Sequence, residues 1–226
     1  MKTLLRVGAC TLMALSLMAC GSDEEDEPEP NGQEGTLNEA LVEQSAVTAY
    51  DAAQTAIDTG DGQTAAFSML SVGTSALGMV TPGGGSQPMG DIGSAQQALG
   101  QGTCECTANS CTFTDCGDGT GYELTGTISW TDTSLTCDYS VGGTNGAQSF
   151  NYAITCDLTY SATSIDGTLS TSGDIDAGGQ STTFDTDPTF NMVTFDASGP
   201  TGGSIDVSAT VGVGGQSYGA SGSVSF

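Results

Sequence analysis

Apolar and polar residues alternate with a period of two over most of the chain after residue 120, and this pattern constrains the fold more than any other feature. Because successive side chains of a strand point to opposite faces, such runs predict half-buried β-strands. Seven runs follow one another, at 122–130, 135–141, 150–160, 165–175, 180–196, 205–213 and 218–226. Within 180–196 the phase slips between Phe190/Met192 and Val193/Phe195, as a β-bulge would cause.

Glycine-containing pairs separate these runs and are typical of tight turns. They are Gly142-Gly143, Asn145-Gly146, Asp166-Gly167, Gly178-Gly179, Gly202-Gly203 and Gly214-Gly215. Short turns between consecutive strands predict an antiparallel meander with one apolar and one solvated face. A sheet of about seven strands twists and curls, so its apolar face must either close on itself or be covered.

The segment before the strands has the period of helices. Val42, Ala46 and Ala53 fall on one helical face, and Thr36 with Glu39 has the pattern of a capping box. The predicted helices span 37–60, 63–80 and 91–99. We therefore expect an α+β, mainly β fold, in which a helical segment (37–99) packs on a curled antiparallel β-meander (100–226).

Cysteines beyond the N-terminal region are even in number, which in an exported chain predicts three disulfides and leaves the pairing open. They are Cys104, Cys106, Cys111, Cys116, Cys137 and Cys156. A hairpin that turns at Asn145-Gly146 would place Cys137 opposite residue 154 rather than Cys156. The first four lie between helices and strands, where bridges would pin one to the other. A zinc site on those four is the alternative, although their spacing is not the usual C-x-x-C.

Charge excludes several function classes. Lys2 and Arg6 are the only basic residues of a chain without His, and all 27 acidic residues follow Cys20. Nucleic-acid binding is excluded, because its affinity comes mainly from Lys and Arg on phosphates. Catalytic mechanisms that need His or Lys are excluded as well. We therefore expect no enzyme, and a carboxylate-based hydrolase is the remaining catalytic alternative.

Two kinds of acidic motif are candidate sites. Asp58-Thr59-Gly60 resembles the active-site turn of aspartic proteases, but that chemistry needs a second carboxylate, and Gly60 ending a helix explains the motif. Four aspartates could bind Ca²⁺ through their oxygens, with solvated turn acids as the alternative. They are Asp174, Asp176, Asp185 and Asp187. We expect no other cofactor.

The N-terminus is an export signal. Lys2 and Arg6 flank the start of an apolar run that ends at Ala19 and is too short to span a bilayer. It ends in Leu17-Met18-Ala19-Cys20, which resembles the lipobox of bacterial lipoproteins. The resemblance implies that residues 1–19 are a cleaved signal peptide and that the Cys20 thiol carries diacylglycerol. Gly21, rather than Asp, after that cysteine implies outer-membrane sorting.

Residues 20–36 contain a block of consecutive acids, 23–27, which predicts a disordered tether between the lipid anchor and the folded part. The block resembles the surface-export tethers of some lipoproteins. We expect an envelope protein held in the bilayer through Cys20 and exposed at the cell surface, with a structural or interaction role and an unidentified partner. The alternative is a carrier or sensor of an apolar ligand held between sheet and helices.

Overall fold

Two helices and three short strands precede the main sheet. The computed structural model describes residues 32–34, 36–81, 104–116, 122–145 and 148–226. The first elements are β1 (Gly32–Glu34), β2 (Thr36–Leu37), α1 (Glu39–Gln54), a π-helical turn (Thr55–Thr59), α2 (Gly62–Met79) and β3 (Val80–Thr81). The leader, Cys20, the acidic block 23–27 and the predicted helix at 91–99 lie outside the described residues.

An antiparallel meander of nine strands follows. Its strands are β4 (Glu105–Cys106), β5 (Ser110–Cys116), β6 (Tyr122–Trp130), β7 (Ser134–Asn145), β8 (Gln148–Ser161), β9 (Ser164–Ala177), β10 (Gln180–Asp196), β11 (Gly199–Val213) and β12 (Gln216–Ser225). Each pairs with the next in the chain, and β1 adds in parallel to β12, so the described sheet is open rather than closed. All seven predicted strands are confirmed, and β4 and β5 are additional.

Only some of the glycine pairs predicted as turns lie in turns of the structure. Gly178-Gly179 and Gly214-Gly215 do form turns, with positive φ at all four residues. Gly142-Gly143, Asp166-Gly167 and Gly202-Gly203 lie inside strands instead, so their prediction as turns was wrong. Gly167 has a φ of 123° in β9, and a side chain there would collide with the carbonyl of Asp157. Close approach of a neighbouring strand therefore explains that glycine.

The predicted bulge in β10 is confirmed. The register of β10 against β9 shifts between Phe190 and Val193, and Met192 inside the shift has a φ of 48°. The carboxylate of Asp166 accepts a hydrogen bond from the Met192 N–H at 2.8 Å. Gly203 lies beside the bulge on the neighbouring strand β11, where a side chain would collide with the Met192 carbonyl. The strand can therefore hold a residue in the left-handed region without losing its neighbours.

The helices cover the apolar face of the sheet, and one hydrophobic core lies between the two layers. Alanines on the buried face of α1 let the helix approach closely, and the Tyr50 hydroxyl donates to the Ala162 carbonyl at 2.7 Å. From the sheet side, the buried Tyr139 hydroxyl donates to the Ala66 carbonyl of α2. Within the described ranges, no helix is long and apolar enough to cross a membrane.

The start of α1 differs from the prediction. Thr36 was expected to cap the helix with Glu39, but Thr36 pairs with Thr81 in the small β2–β3 sheet. Asn38 is the N-cap instead, and its carbonyl accepts hydrogen bonds from Leu41 and Val42. Pairing with β3 keeps the chain extended through residue 37, which places the first helical residue at Glu39.

Candidate functional site

The six cysteines lie in three pairs at disulfide distance. Cys104 is paired with Cys116, and Cys106 is paired with Cys111. These two pairs connect β5 to β4 and to Cys104, which directly precedes β4. Neither pair joins a helix to the sheet, so the expected pin between these layers is absent among the described residues. What the two pairs do instead is fasten the short edge strand of the meander.

Cys137 and Cys156 form the third pair, across β7 and β8. They lie directly opposite each other, with Cα atoms 4.8 Å apart. The prediction that Cys137 faces residue 154 was wrong, because Asn145 pairs with Gln148 instead of lying in the turn. Moving the loop by one residue changes every facing pair of the hairpin by two positions.

The candidate metal ligands do not converge. In the part of the chain that the structure describes, no group of three or more Cys, His, Asp or Glu side chains is placed to hold a metal ion. Asp174 and Asp176 lie near the end of β9, opposite Thr183 and Ser181, and Asp185 and Asp187 lie farther along β10, all on the face away from the helices. Burial, followed by the charge of Asp187 and a hydrogen bond to it, raises the pKa of Asp185.

The protease-like motif forms the end of a helix. Asp58 and Thr59 lie in the π-helical turn, and Gly60 follows with a φ of 69°. The Gly60 N–H donates to the Ala56 carbonyl at 3.0 Å, as a left-handed helix cap does. Asp58 is exposed. Gly60 therefore has the structural role that the sequence offered as the simpler explanation.

The most extensive polar feature is the outer face of the sheet, which is the face directed away from the helices. One row crosses eight consecutive strands from β5 to β12, and each member is paired in register with the next. The row is Ser110, Ser129, Thr136, Asp157, Thr168, Thr189, Asp206 and Ser223. Every member is a hydroxyl or a carboxylate. We call this set the hydroxyl row.

Neighbouring rows of the outer face have a similar composition. Thr125, Ser140, Ser172, Asp185 and Thr210 lie in one that crosses β6 to β11. Strands are spaced about 4.8 Å apart, so these groups form a regular two-dimensional array. Because the chain has no basic residue after Arg6, the carboxylates in the array have no cationic side chain beside them among the described residues.

Hydrogen bonds within the array hold its side chains. The Ser129 and Thr136 hydroxyls are 2.7 Å apart across β6 and β7. The Asn191 amide donates to the Asp206 carboxylate at 2.8 Å. Hydrogen bonds from Ser223 and then from Asn191 hold the pKa of Asp206 below its usual range. Asp206 is therefore a fixed negative charge at neutral pH.

The alternation predicted a solvated face for the strands from β6 to β12, but it did not align the polar residues of that face into rows. The row depends on the register of seven strand pairs, and each register depends on the position of a loop. The assignment of Asn145-Gly146 as a turn shows how an error of one residue misaligns every pair. The signal that could have found the row is the recurrence of Ser, Thr and Asp at alternate positions in successive strands.

Met192 adds the one large apolar side chain found exposed among the described residues, at 63% of its full accessibility. It lies at the bulge, beside Asp166 and next to Asn191, whose side chain donates to Asp206 of the hydroxyl row. A comparison of the chain with known proteins yields no matching family model, curated protein or solved structure.

Proposed function

We propose that the protein is a bacterial lipoprotein, anchored through acylated Cys20, that presents the outer face of its sheet as a contact surface at the cell envelope. The observation that carries the proposal is the hydroxyl row, which extends over eight strands. Hydroxyls and carboxylates on this face can both make hydrogen bonds to a partner surface. Protein interfaces regularly contain direct hydrogen bonds, and this face offers many groups that can make them.

The lipobox residues and the acidic tether support placement in the outer membrane with exposure at the cell surface. Two or more acyl chains anchor a protein stably where a single chain does not. The twelve residues from Cys20 to Asn31 reach about 40 Å when extended, since one residue spans at most about 3.5 Å. The sheet would then lie within that distance of the bilayer.

A carrier of an apolar ligand would need room between the sheet and the helices. Buried side chains of both layers pack into one cluster there, which favours a contact module. One polar group in this region is not satisfied: the buried hydroxyl of Thr171 has no hydrogen-bond partner among the described residues. A native mass spectrum that shows a bound lipid, released on mild activation, would favour the carrier.

Two measurements test the anchored contact module. The mass of the mature protein should include the acyl chains, and Cys20→Ala should abolish them. Proteinase K on intact cells should degrade the protein, whereas trypsin is uninformative because no Lys or Arg follows Arg6. An unmodified Cys20, or a chain resistant to proteinase K until the cells are lysed, contradicts the proposed location.

A photo-reactive residue should distinguish the outer face from the helices. In place of Thr168, at the centre of the hydroxyl row, we expect it to capture a discrete partner in intact cells. In place of Glu43, which is exposed on α1, it should not. Asp157→Asn with Asp206→Asn should weaken the capture from position 168. Equal capture from both positions, or none from 168, contradicts a role for this face.

A further inference from the structure

Strand β12 differs in charge from every other strand of the meander. Each of the strands β4 to β11 contains at least one acidic residue, whereas Gln216–Ser225 contains none. The chain carries a formal net charge of −25 and no basic residue after Arg6, so two copies repel each other over most of their surfaces. A neutral strand is where that repulsion is weakest.

This neutral strand also lies near an open edge. β1 pairs only with Ser217, Tyr218 and Gly219, and no described strand pairs with the remainder of β12 on that side. The Phe226 N–H donates to the Gly203 carbonyl of β11, so the even-numbered residues direct their backbone groups toward β11. Ser221, Ser223 and Ser225 therefore direct theirs outward, and all three residues are exposed.

The opposite edge of the sheet is protected. β4 is only two residues long, contains Glu105, and is fastened to β5 by Cys106 and Cys111. Short edge strands and charged side chains are the usual means by which proteins prevent edge-to-edge pairing. From Ala220 to Ser225, β12 has neither charge nor proline nor a register shift against β11.

We propose that this edge of β12 pairs with the same edge of a second copy, antiparallel and with a two-fold axis at Ser223. In that register Ser221 faces Ser225 of the second copy, and all three outward-directed residues of both copies are used. The pairing spares Ser217–Gly219, so β1 keeps its place. The small side chains of this segment bring no like charges together.

Two acidic residues lie near the junction and tolerate the contact. Glu34 on β1 is paired with Gly219, four residues along the edge from Ser223, so the two copies of Glu34 would be about 27 Å apart. Asp206 is opposite Ser223 on β11, one strand away from the axis. The two copies of Asp206 would be separated by three strand spacings, about 14 Å. That exceeds the Debye length of about 8 Å at physiological ionic strength, so their repulsion is largely screened. Hydrogen bonds to the Asp206 carboxylate disperse the charge further.

The two-fold axis is perpendicular to the sheet, so the outer faces of both copies lie on the same side. The hydroxyl row then continues across the junction from Ser223 of one copy to Ser223 of the other. A short edge contact buries little area and gives low affinity in dilute solution. Anchoring both copies in one membrane raises their effective concentration, and this last step alone rests on the proposed function.

Cross-linking of the full lipoprotein in its membrane tests the pairing. Ser223→Cys, treated with a short bis-maleimide, should give a covalent dimer on a denaturing gel. Ser208→Cys, on the same face but one strand further from the axis, should give little or none. Absence of the Ser223→Cys dimer, or equal dimer from both variants, overturns the proposal. So does failure of Ser223→Cys to react with a monofunctional maleimide, because the segment 82–103 or another cover would then occupy the edge.

A charge test separates the edge from the general effect of added charge. Ser221→Asp with Ser225→Asp, added to Ser223→Cys, would place like charges directly opposite each other and should reduce the cross-linked fraction at least tenfold. Ser204→Asp with Ser208→Asp adds the same charge to the paired positions of β11 and should leave the dimer intact. A dimer that survives the first pair overturns the proposal. The acylation mass of Cys20 is read independently, so a missing anchor and a missing dimer are distinguishable.

Discussion

Tyr139 joins the sheet to helix α2 through a single buried hydroxyl, which donates to the Ala66 carbonyl. Burial raises the pKa of this phenol well above its usual value, so the hydroxyl stays protonated and can donate. We expect Tyr139→Phe to lower the free energy of unfolding in urea by about 1 kcal/mol, the usual net contribution of such a bond.

Tyr218→Phe is the matched control for this hydroxyl. The Tyr218 hydroxyl is exposed and bonds only to the Gln216 side chain, so its loss should change the unfolding free energy by less than about 0.5 kcal/mol. Equal losses in the two variants would show that the bond between Tyr139 and Ala66 does not stabilise the packing of α2.

Gly126 is required by the close contact of β6 and β7. Its φ is 129°, and a side chain would collide with the Asp138 carbonyl and the Tyr139 backbone. We expect Gly126→Ala to lower the unfolding free energy by about 2–3 kcal/mol. Gly142→Ala is the control, because its nearest contact would be the Asn151 side chain at 3.6 Å. Similar urea midpoints for the two variants would contradict this explanation.

The roles of single residues were predicted correctly where they depend on local sequence. They were predicted incorrectly where they depend on contact with a neighbouring strand. The apolar face of α1 and the left-handed cap at Gly60 both follow from local sequence. From sequence alone, Gly167 resembles a turn residue, because glycine allows backbone conformations that turns require. The sequence does not reveal that this freedom serves close approach to Asp157, because that residue lies on another strand.

The cysteine pairs differ in the length of chain that they close. Cys137 and Cys156 are 19 residues apart, and Cys106 and Cys111 are 5 apart. On the loop-entropy model, losing the first bridge should cost about 3 kcal/mol and losing the second about 2 kcal/mol. We expect Cys137→Ala with Cys156→Ala to shift the urea midpoint more than Cys106→Ala with Cys111→Ala does. The reverse order would contradict the loop-length argument.

At the scale of elements, the long alternating runs were predicted correctly, including the phase slip in β10. β4 and β5 were missed because their cysteines and short length conceal the alternation. The register of β7 against β8 was wrong because glycine occurs at 142, 143 and 146, and local sequence does not select among these positions. The helix start was wrong because β3, distant in the chain, pairs with β2.

The part of the chain that the structure describes is stabilised without side-chain ion pairs, because no Lys, Arg or His follows Arg6. Its carboxylates repel one another, and salt screens that repulsion. Raising NaCl from about 10 mM to about 0.5 M should raise Tm by about 5 °C, and Ca²⁺ should act at lower concentration. At about pH 3, where the carboxylates are largely protonated, the NaCl effect should shrink. A Tm indifferent to both salts at neutral pH would contradict the prediction.

At this scale, composition predicts that the protein does not bind nucleic acids and does not use histidine-dependent catalysis. The surfaces proposed here for contact were not predictable, since the hydroxyl row needs seven registers at once. To predict the neutral edge of β12, one must know which strand is last in the sheet and how many of its residues pair with β1.

The order of elements along the chain has a consequence for how the protein acquires its structure. Each strand of the meander pairs with its sequence neighbour, so the sheet consists largely of local contacts, which form quickly. The helices are made first, yet α1 contacts β8, β11 and β12, and α2 contacts strands from β5 to β11. A chain emerging with its N-terminus first cannot complete the helical layer until the last strands arrive. We therefore expect docking of the helices to limit the rate of folding, and the helical region to stay protease-sensitive until β11 and β12 are present.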